Sequence, residues 1–173
     1  MTVKVLVAYA TRNGSTAEIA RVITEVLRKE GLEPQLLPVS EVRDVQAYDA
    51  VILGSPIYAG RWHKDARRFV RRSARLPDGR PVWLFSSGPL DASAAERDIP
   101  PVPAARRALV RLDARGHVTF GGCLTEGAKG RIARMIIKSG KGGDFRDFEQ
   151  ISAWAQHVGA ALQGDAAARP EGY

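Results

Sequence analysis

Short apolar runs punctuate the chain, and most are followed by apolar residues at helical spacing. Val3, Val5, Leu6 and Val7 form the first run, almost unbroken, which predicts a strand buried on both faces of a parallel sheet. Ile19, Val22, Ile23, Val26 and Leu27 then recur every three or four residues, predicting a helix over 15–29 that Gly31 ends. Leu36, Leu37 and Val39 give a second strand, and Ser40–Tyr48 is polar, with one helical turn at most. Asp49–Gly54 is a third strand, followed by a loop, Ser55–Trp62, and a helix with Ala66, Phe69, Val70 and Ala74 on its inner stripe. Val82–Phe85 forms strand four. The stretch from Ser86 to about Pro103 carries Gly88, Pro89, Pro100, Pro101 and Pro103 and is expected to be mostly loop. Ala105, Ala108, Leu109 and Leu112 mark another helix, closed by Gly116, and Val118, Phe120 and Cys123 belong to strand five. Asp144 or Asp147 is expected to cap a last helix bearing Phe148, Ile151, Ala155, Val158 and Leu162. Strands alternating with helices predict an α/β three-layer sandwich around a five-stranded parallel sheet of order 2-1-3-4-5. One domain over 1–163 with a flexible tail over 164–173 is expected.

In such a sheet ligands bind beyond the carboxyl ends of the strands, where the loops after strands one, three and four meet. The first of these loops reads Thr11-Arg12-Asn13-Gly14-Ser15-Thr16 and opens directly into the first helix. First-turn N–H groups lack intrahelical partners and the helix dipole favours negative charge, so this junction suits an anion. Thr11, Asn13, Ser15 and Thr16 offer side-chain hydrogen bonds and Gly14 lets the backbone close on a phosphate monoester. The competing reading is a polar turn with Ser15 as N-cap. The dinucleotide fingerprint and the Walker-type phosphate loop are both absent.

The first loop resembles that of the flavodoxin superfamily, an apolar strand followed by T/S-x-x-G-x-T, and the resemblance implies a flavodoxin-like fold with FMN as cofactor. The segment G-S-P-I-Y-A-G-R-W-H-K and the stretch R-M-I-I-K-S-G-K-G-G-D-F-R-D-F-E-Q-I-S-A-W-A are similar to the flavodoxin-domain group of menaquinone-dependent protoporphyrinogen IX dehydrogenase. The likeness extends from Val3 to about Leu162, although the chain looks shorter between the glycine-rich turn and the last helix. On this reading Thr11, Arg12, Asn13, Gly14, Ser15 and Thr16 hold the FMN phosphate. Pro56, Ile57, Tyr58, Gly60 and Trp62, together with Ser87, Gly88, Pro89 and Leu90, surround the ring. Ile57, Tyr58 and Trp62 supply its apolar flank, while Gly54, Gly60 and Gly88 allow close backbone approach. The resemblance implies an FMN-dependent oxidoreductase that oxidises a small-molecule substrate, a reduced tetrapyrrole in that group, with a quinone or another redox partner as acceptor. A flavodoxin-type electron carrier is the alternative, and a domain that has lost its flavin is a third. No catalytic residue is assigned. His63, beside Trp62, is a weak candidate that reads more readily as an exposed helix-start residue, and Asp91 and Cys123 have lesser claims.

The 173 residues carry 26 Lys and Arg against 19 Asp and Glu, a net charge of +7, unlike the acidic balance typical of electron-shuttling flavodoxins. An anionic substrate or surface fits that charge, whereas no basic run with interleaved aromatics points to nucleic acid. Lys129, Arg131, Arg134, Lys138 and Lys141 surround Ile132, Met135, Ile136 and Ile137. Residues 129–141 read either as a helix at an anionic membrane surface or as one packed on the sheet with solvated cations. Cys123, the one cysteine, reads as a buried structural thiol, and no metal-ligand spacing occurs. No signal-peptide pattern precedes strand one, so the expectation is a cytoplasmic protein, membrane-peripheral if 129–141 binds lipid, and homodimerisation is left open.

Overall fold

The computed structural model describes residues 2–73, 79–89, 91, 93–124 and 143–168. In chain order the elements are β1 (Lys4–Tyr9), α1 (Ser15–Lys29), β2 (Glu33–Pro38), a 3-10 turn (Val39–Glu41), β3 (Ala50–Tyr58) and β4 (Arg61–Trp62). Then come α2 (Lys64–Ser73), β5 (Val82–Ser87), α3 (Ser93–Glu96), α4 (Pro103–Arg111) and β6 (Gly116–Phe120), and finally β7 (Cys123–Leu124), β8 (Gly143–Asp144) and α5 (Phe148–Ala168).

The main sheet runs β2-β1-β3-β5-β6 with every neighbour parallel, which is the expected order once the short strands are set aside. Strand alternation divides the core in two. Leu6, Ala8, Leu53 and Leu84 face α2 and α4, packing on Ala66, Phe69, Val70, Ala105 and Ala108. Val5, Val7, Ile52 and Phe85 face α1 and α5, packing on Ile19, Ile23, Leu27, Ile151, Ala155 and Val158. Both faces of the central strands are therefore buried, which explains their unbroken apolar runs.

Several boundaries differ from the sequence expectation, each for a physical reason. Ser55–Tyr58 is a continuation of β3, not a loop: Ser55 and Pro56 stand opposite Ser86 and Ser87 of β5. The chain then folds back as β4, pairing Ile57 with Trp62 and Tyr58 with Arg61. Ala59 (φ 51°) and Gly60 (φ 72°) form the two-residue connection, and consecutive left-handed residues are what a hairpin of this twist needs. Gly60 is thus a turn residue. Gly54 is required by packing: a Cβ there would lie 1.9 Å from Phe85 Cζ, on the sheet face turned toward α1 and α5. Val39 belongs to the 3-10 turn rather than strand two, α3 interrupts the long loop, and Asp113 (φ 48°), not Gly116, takes the left-handed position after α4. Gly116 instead opens β6 opposite Trp83.

Cys123 is not part of the main sheet; it lies in the β7–β8 hairpin, half-buried. Asp147 caps α5, its Oδ1 accepting from the N–H groups of Glu149 and Gln150, while Asp144 pairs with Arg146. The last helix runs on to Ala168, beyond the expected start of the tail at Gly164. Ala74, Leu90 and the basic segment 129–141 lie outside the described residues. Among the described residues no helix is long and apolar enough to cross a membrane.

Candidate functional site

At the carboxyl ends of β1, β3 and β5 a cleft opens, lined by Thr11, Arg12, Asn13, Ser15, Thr16, Pro56, Ile57, Tyr58, Ala59, Ser87, Gly88, Gly122 and Cys123. One wall is the junction of β1 and α1. Gly14, at φ 84°, occupies the N-cap position of α1, and no side chain caps that end. Thr11 Oγ1 instead accepts from the Gly14 N–H at 3.0 Å, which closes the loop upon itself. Ser15 is therefore inside the first turn rather than capping it. Its Oγ and Thr16 Oγ1 are both buried and have no hydrogen-bond partner among the described residues. Two orphaned hydroxyls at a helix N-terminus, both lining one cleft, form a donor set without an acceptor; an anionic oxygen entering the cleft would satisfy them.

The second wall is the β3–β4 hairpin. Asn13 Nδ2 donates to Tyr58 Oη at 2.9 Å, and the Arg12 guanidinium lies 5.9 Å from the centre of the Tyr58 ring. The first loop is thereby fastened to the hairpin across the mouth of the cleft. The third wall is made by Ser87 and Gly88 at the end of β5 and by Gly122 and Cys123. Gly88 N–H donates to Phe120 carbonyl at 2.8 Å and Gly122 N–H to Pro89 carbonyl at 3.0 Å, so the two segments support each other. A Cβ on Gly88 would come within 2.9 Å of Ile57 Cδ1, and one on Gly121 within 1.9 Å of Phe145 carbonyl oxygen. Arg146 anchors this side from below, paired with Asp144 of β8 and with Glu18 of α1. Among the described residues no carboxylate lines the cleft, and Arg12 is the one cation that does.

Most of the sequence-predicted residues meet here: Thr11, Arg12, Asn13, Ser15, Thr16, Pro56, Ile57, Tyr58, Ser87 and Gly88 all line the cleft. Gly14 and Gly60 shape its loops, and Pro89 holds Gly122. Leu90 lies outside the described residues. Trp62 does not reach the cleft. It shares a face of the hairpin with its cross-strand partner Ile57, but its ring runs into the core beneath α2 and α4, where it is 2% exposed. Sequence reasoning missed Ala59, Gly122 and a cleft-lining role for Cys123. The Gly121-Gly122 pair after strand five was a usable signal, because adjacent glycines mark close backbone approach.

The weak catalytic candidate has a structural post. His63 Nδ1 accepts from Asp65 N–H at 3.1 Å, its own N–H donates to Ser55 Oγ at 3.0 Å, and its carbonyl accepts from Arg67. It thus caps α2 and does not line the cleft. Burial lowers its pKa most, Asp65 opposing this while Arg12, Lys64 and Arg67 add to it. Asp91 accepts from Ser93 N–H beside α3. The Cys123 thiol is shifted upward, chiefly by its partial burial, so it is held as a neutral thiol.

Behind the cleft a buried chain joins three elements. Trp62 Nε1 donates to Ser86 Oγ at 2.8 Å, and Ser86 Oγ stands 2.7 Å from His117 Nε2. Indole N–H can only donate, so Ser86 Oγ accepts from Trp62, and it shares one further hydrogen bond with the neutral His117 ring at Nε2. Burial pushes the His117 pKa down to about 4, in keeping with that neutral ring.

A parallel doubly wound sheet of this order, with an anion-ready loop at the end of its first strand, defines a flavodoxin-like protein. The chain belongs to the flavodoxin-domain family, which matches residues 6–141. Family membership implies FMN as the cofactor, and the orphaned Ser15 and Thr16 hydroxyls fit its phosphate. Protoporphyrinogen IX dehydrogenase [quinone] of Escherichia coli (strain K12) is 29% identical over 85 residues, 48% of this chain and 47% of the relative. The match thus spans about half the length of that curated relative. Among solved structures, the rubredoxin oxygen:oxidoreductase of the anaerobe Desulfovibrio gigas superposes with a TM-score of 0.65 at 19% identity, covering 95% of this chain and 37% of the other. A flavodoxin from the domain Archaea gives 0.63 at 12% identity, covering 92% and 99%. At these identities the structural likeness establishes the fold.

Proposed function

We propose that this protein is an FMN-dependent oxidoreductase of the protoporphyrinogen dehydrogenase type, oxidising a small reduced substrate and passing electrons to a quinone or another redox partner. The observation that carries the reading is the pair of buried, partnerless hydroxyls of Ser15 and Thr16 in the strand-end cleft. Bound FMN supplies the hydride and electron chemistry, and the protein binds, orients and exposes it. Ser15, Thr16 and the first-turn N–H groups of α1 would hold the phosphate, with Arg12 adding positive charge. Ile57 and Tyr58 offer an apolar flank, and Ser87 and Gly88 put small groups where a bulky one would close the cleft. Among the described residues no aromatic follows β5 into the cleft, which favours access by a substrate over a covered flavin face. The basic balance of +7 favours an anionic substrate.

A second reading, an electron carrier without a substrate of its own, has one observation in its favour. His63 is spent on capping α2 and Cys123 is a neutral thiol, so among the described residues neither is poised for proton transfer in the cleft. Anaerobic mixing of the FMN-loaded protein with a porphyrinogen, followed by a menaquinone, separates the two. The enzyme reading expects the visible flavin absorbance to bleach with the first and recover with the second. Flavin that responds to no small substrate but exchanges electrons rapidly with a redox protein would establish the carrier.

A further inference from the structure

A second cleft lies on the other side of the β3–β4 hairpin, between α2 and α4. Its volume is about 240 Å3, far above the roughly 10–15 Å3 that holds one water. Arg67 and Arg71 line it from α2, Arg107 and Arg111 from α4, and the buried ring of Trp62 contributes to its floor with Val70 and Ala108. No carboxylate lines it among the described residues.

Each arginine pair is spaced by four residues, so on each helix the two guanidinium groups stack one turn apart on the same face. Like charges at that spacing repel and destabilise their helix. Among the described residues nothing offsets the repulsion: none of the four guanidinium groups forms an ion pair or a hydrogen bond. Neighbouring arginines of the same helices are employed differently. Arg72 donates to the carbonyls of Val39 and Val42 and lies over the Phe69 ring, and Arg106 donates to the Pro101 carbonyl. Structural tasks thus fall to arginines outside the cleft, while the guanidinium donors of those lining it are free among the described residues. Guanidinium forks recognise phosphate and carboxylate oxygens in pairs, and two rows of them suit two anionic groups about one helical turn apart.

We infer that the α2–α4 cleft is a binding site for a small dianionic or polyanionic solute, carrying two phosphate or carboxylate groups, separate from the strand-end cleft. The size of the cleft decides for a small solute over a protein segment. The inference does not depend on what the strand-end cleft holds.

Inorganic pyrophosphate and succinate are the probes, titrated into protein saturated with FMN so that the strand-end cleft is occupied. Calorimetry gives the affinity and the indole N–H resonance of Trp62 reports the place. Saturable one-to-one binding that shifts the Trp62 resonance is expected, with pyrophosphate at least about tenfold tighter than orthophosphate. The succinate arm tells whether carboxylates serve as well as phosphates. Arg71→Ala with Arg107→Ala should weaken binding about tenfold or more, and the corresponding pair of lysines, which keeps charge but loses the fork, should recover only part. Arg21→Ala, exposed on α1 across the sheet, should change nothing. Absence of saturation by either probe at millimolar concentration, or undiminished binding to the double alanine variant, would overturn the proposal. So would binding of an acidic peptide in place of both probes, which would make the cleft a protein-docking surface.

Discussion

The two clefts flank one hairpin and bind anions by opposite means. In the strand-end cleft the donors are hydroxyls and backbone N–H groups of the first turn of α1, buried and fixed by the loop that Thr11 closes. In the α2–α4 cleft the donors are four exposed arginines on otherwise ordinary helix surfaces. Neutral, fixed donors discriminate by geometry, because little rotamer freedom remains to be lost when the ligand arrives. Long charged side chains attract from a distance and adapt to many anions, but their pull is screened by salt. A cofactor site and a site for exchangeable anions call for these two designs respectively.

The hairpin joins the clefts through Ile57, which lines the first, and Trp62, its cross-strand partner, which lines the second. The largest effect on this arrangement is expected from Gly54→Ala. The new Cβ would fall inside the Phe85 ring, and overpacking of this kind costs about 1–3 kcal/mol or more. Chemical denaturation should show that loss. FMN affinity should fall with it, while pyrophosphate still shifts Trp62 in the folded fraction.

Acidification is next. His117 has its pKa lowered to about 4 from 6.5, so between those values the unfolded chain binds more protons than the native one. Stability is therefore full above about pH 6.5 and falls as pH drops toward 4, by at most about 1.4 kcal/mol per pH unit. A protonated His117 donates from Nε2 to Ser86 Oγ, which keeps its second lone pair for Trp62. His117→Gln should flatten the dependence in urea titrations across this range. An unchanged slope would mean that His117 does not set it.

A smaller effect is expected from Tyr58→Phe, which removes the acceptor for Asn13 Nδ2 and leaves the ring beside Arg12. A loss of about 0.5–1.5 kcal/mol in FMN affinity should result, with pyrophosphate binding untouched. The smallest is Gly60→Ala, a cost of about 1 kcal/mol in stability for a Cβ at φ 72°, with both affinities retained.

Periodicity made most of this molecule legible. Val5–Val7, Ala50–Leu53 and Val82–Phe85 are unbroken because both sheet faces are covered, and the stripe from Ile19 to Leu27 could belong only to a helix. The first loop carried its chemistry openly, since helix N-terminus, hydroxyls and glycine are all local features. What stayed hidden depends on distant partners. Ser55–Tyr58 reads as a loop because Pro56 and the small residues around it lack strand propensity; pairing with Ser86 and Ser87 decides the matter. Trp62 looked like a flavin contact because sequence cannot say whether a ring near a strand end turns into the cleft or into the core. Cys123 looked like core because the apolar run continues through it, yet the chain leaves the sheet at Gly121-Gly122. The arginines of α2 and α4 were visible one helix at a time, but their convergence required the two helices to be packed side by side.

The strand-end cleft as the FMN site is tested most directly by titrating flavin-free protein with FMN, wild type beside Ser15→Ala with Thr16→Val, while following flavin fluorescence and the unfolding temperature without ligand. Each hydroxyl should be worth about 1.5–3 kcal/mol toward a charged acceptor, so the double variant should bind on the order of a hundredfold more weakly or worse. Because both hydroxyls are buried without partners, removing them should leave the flavin-free protein as stable as wild type or slightly more so. A double variant that binds FMN as tightly as wild type would contradict the assignment of the site, as would one that loses FMN only because it no longer folds.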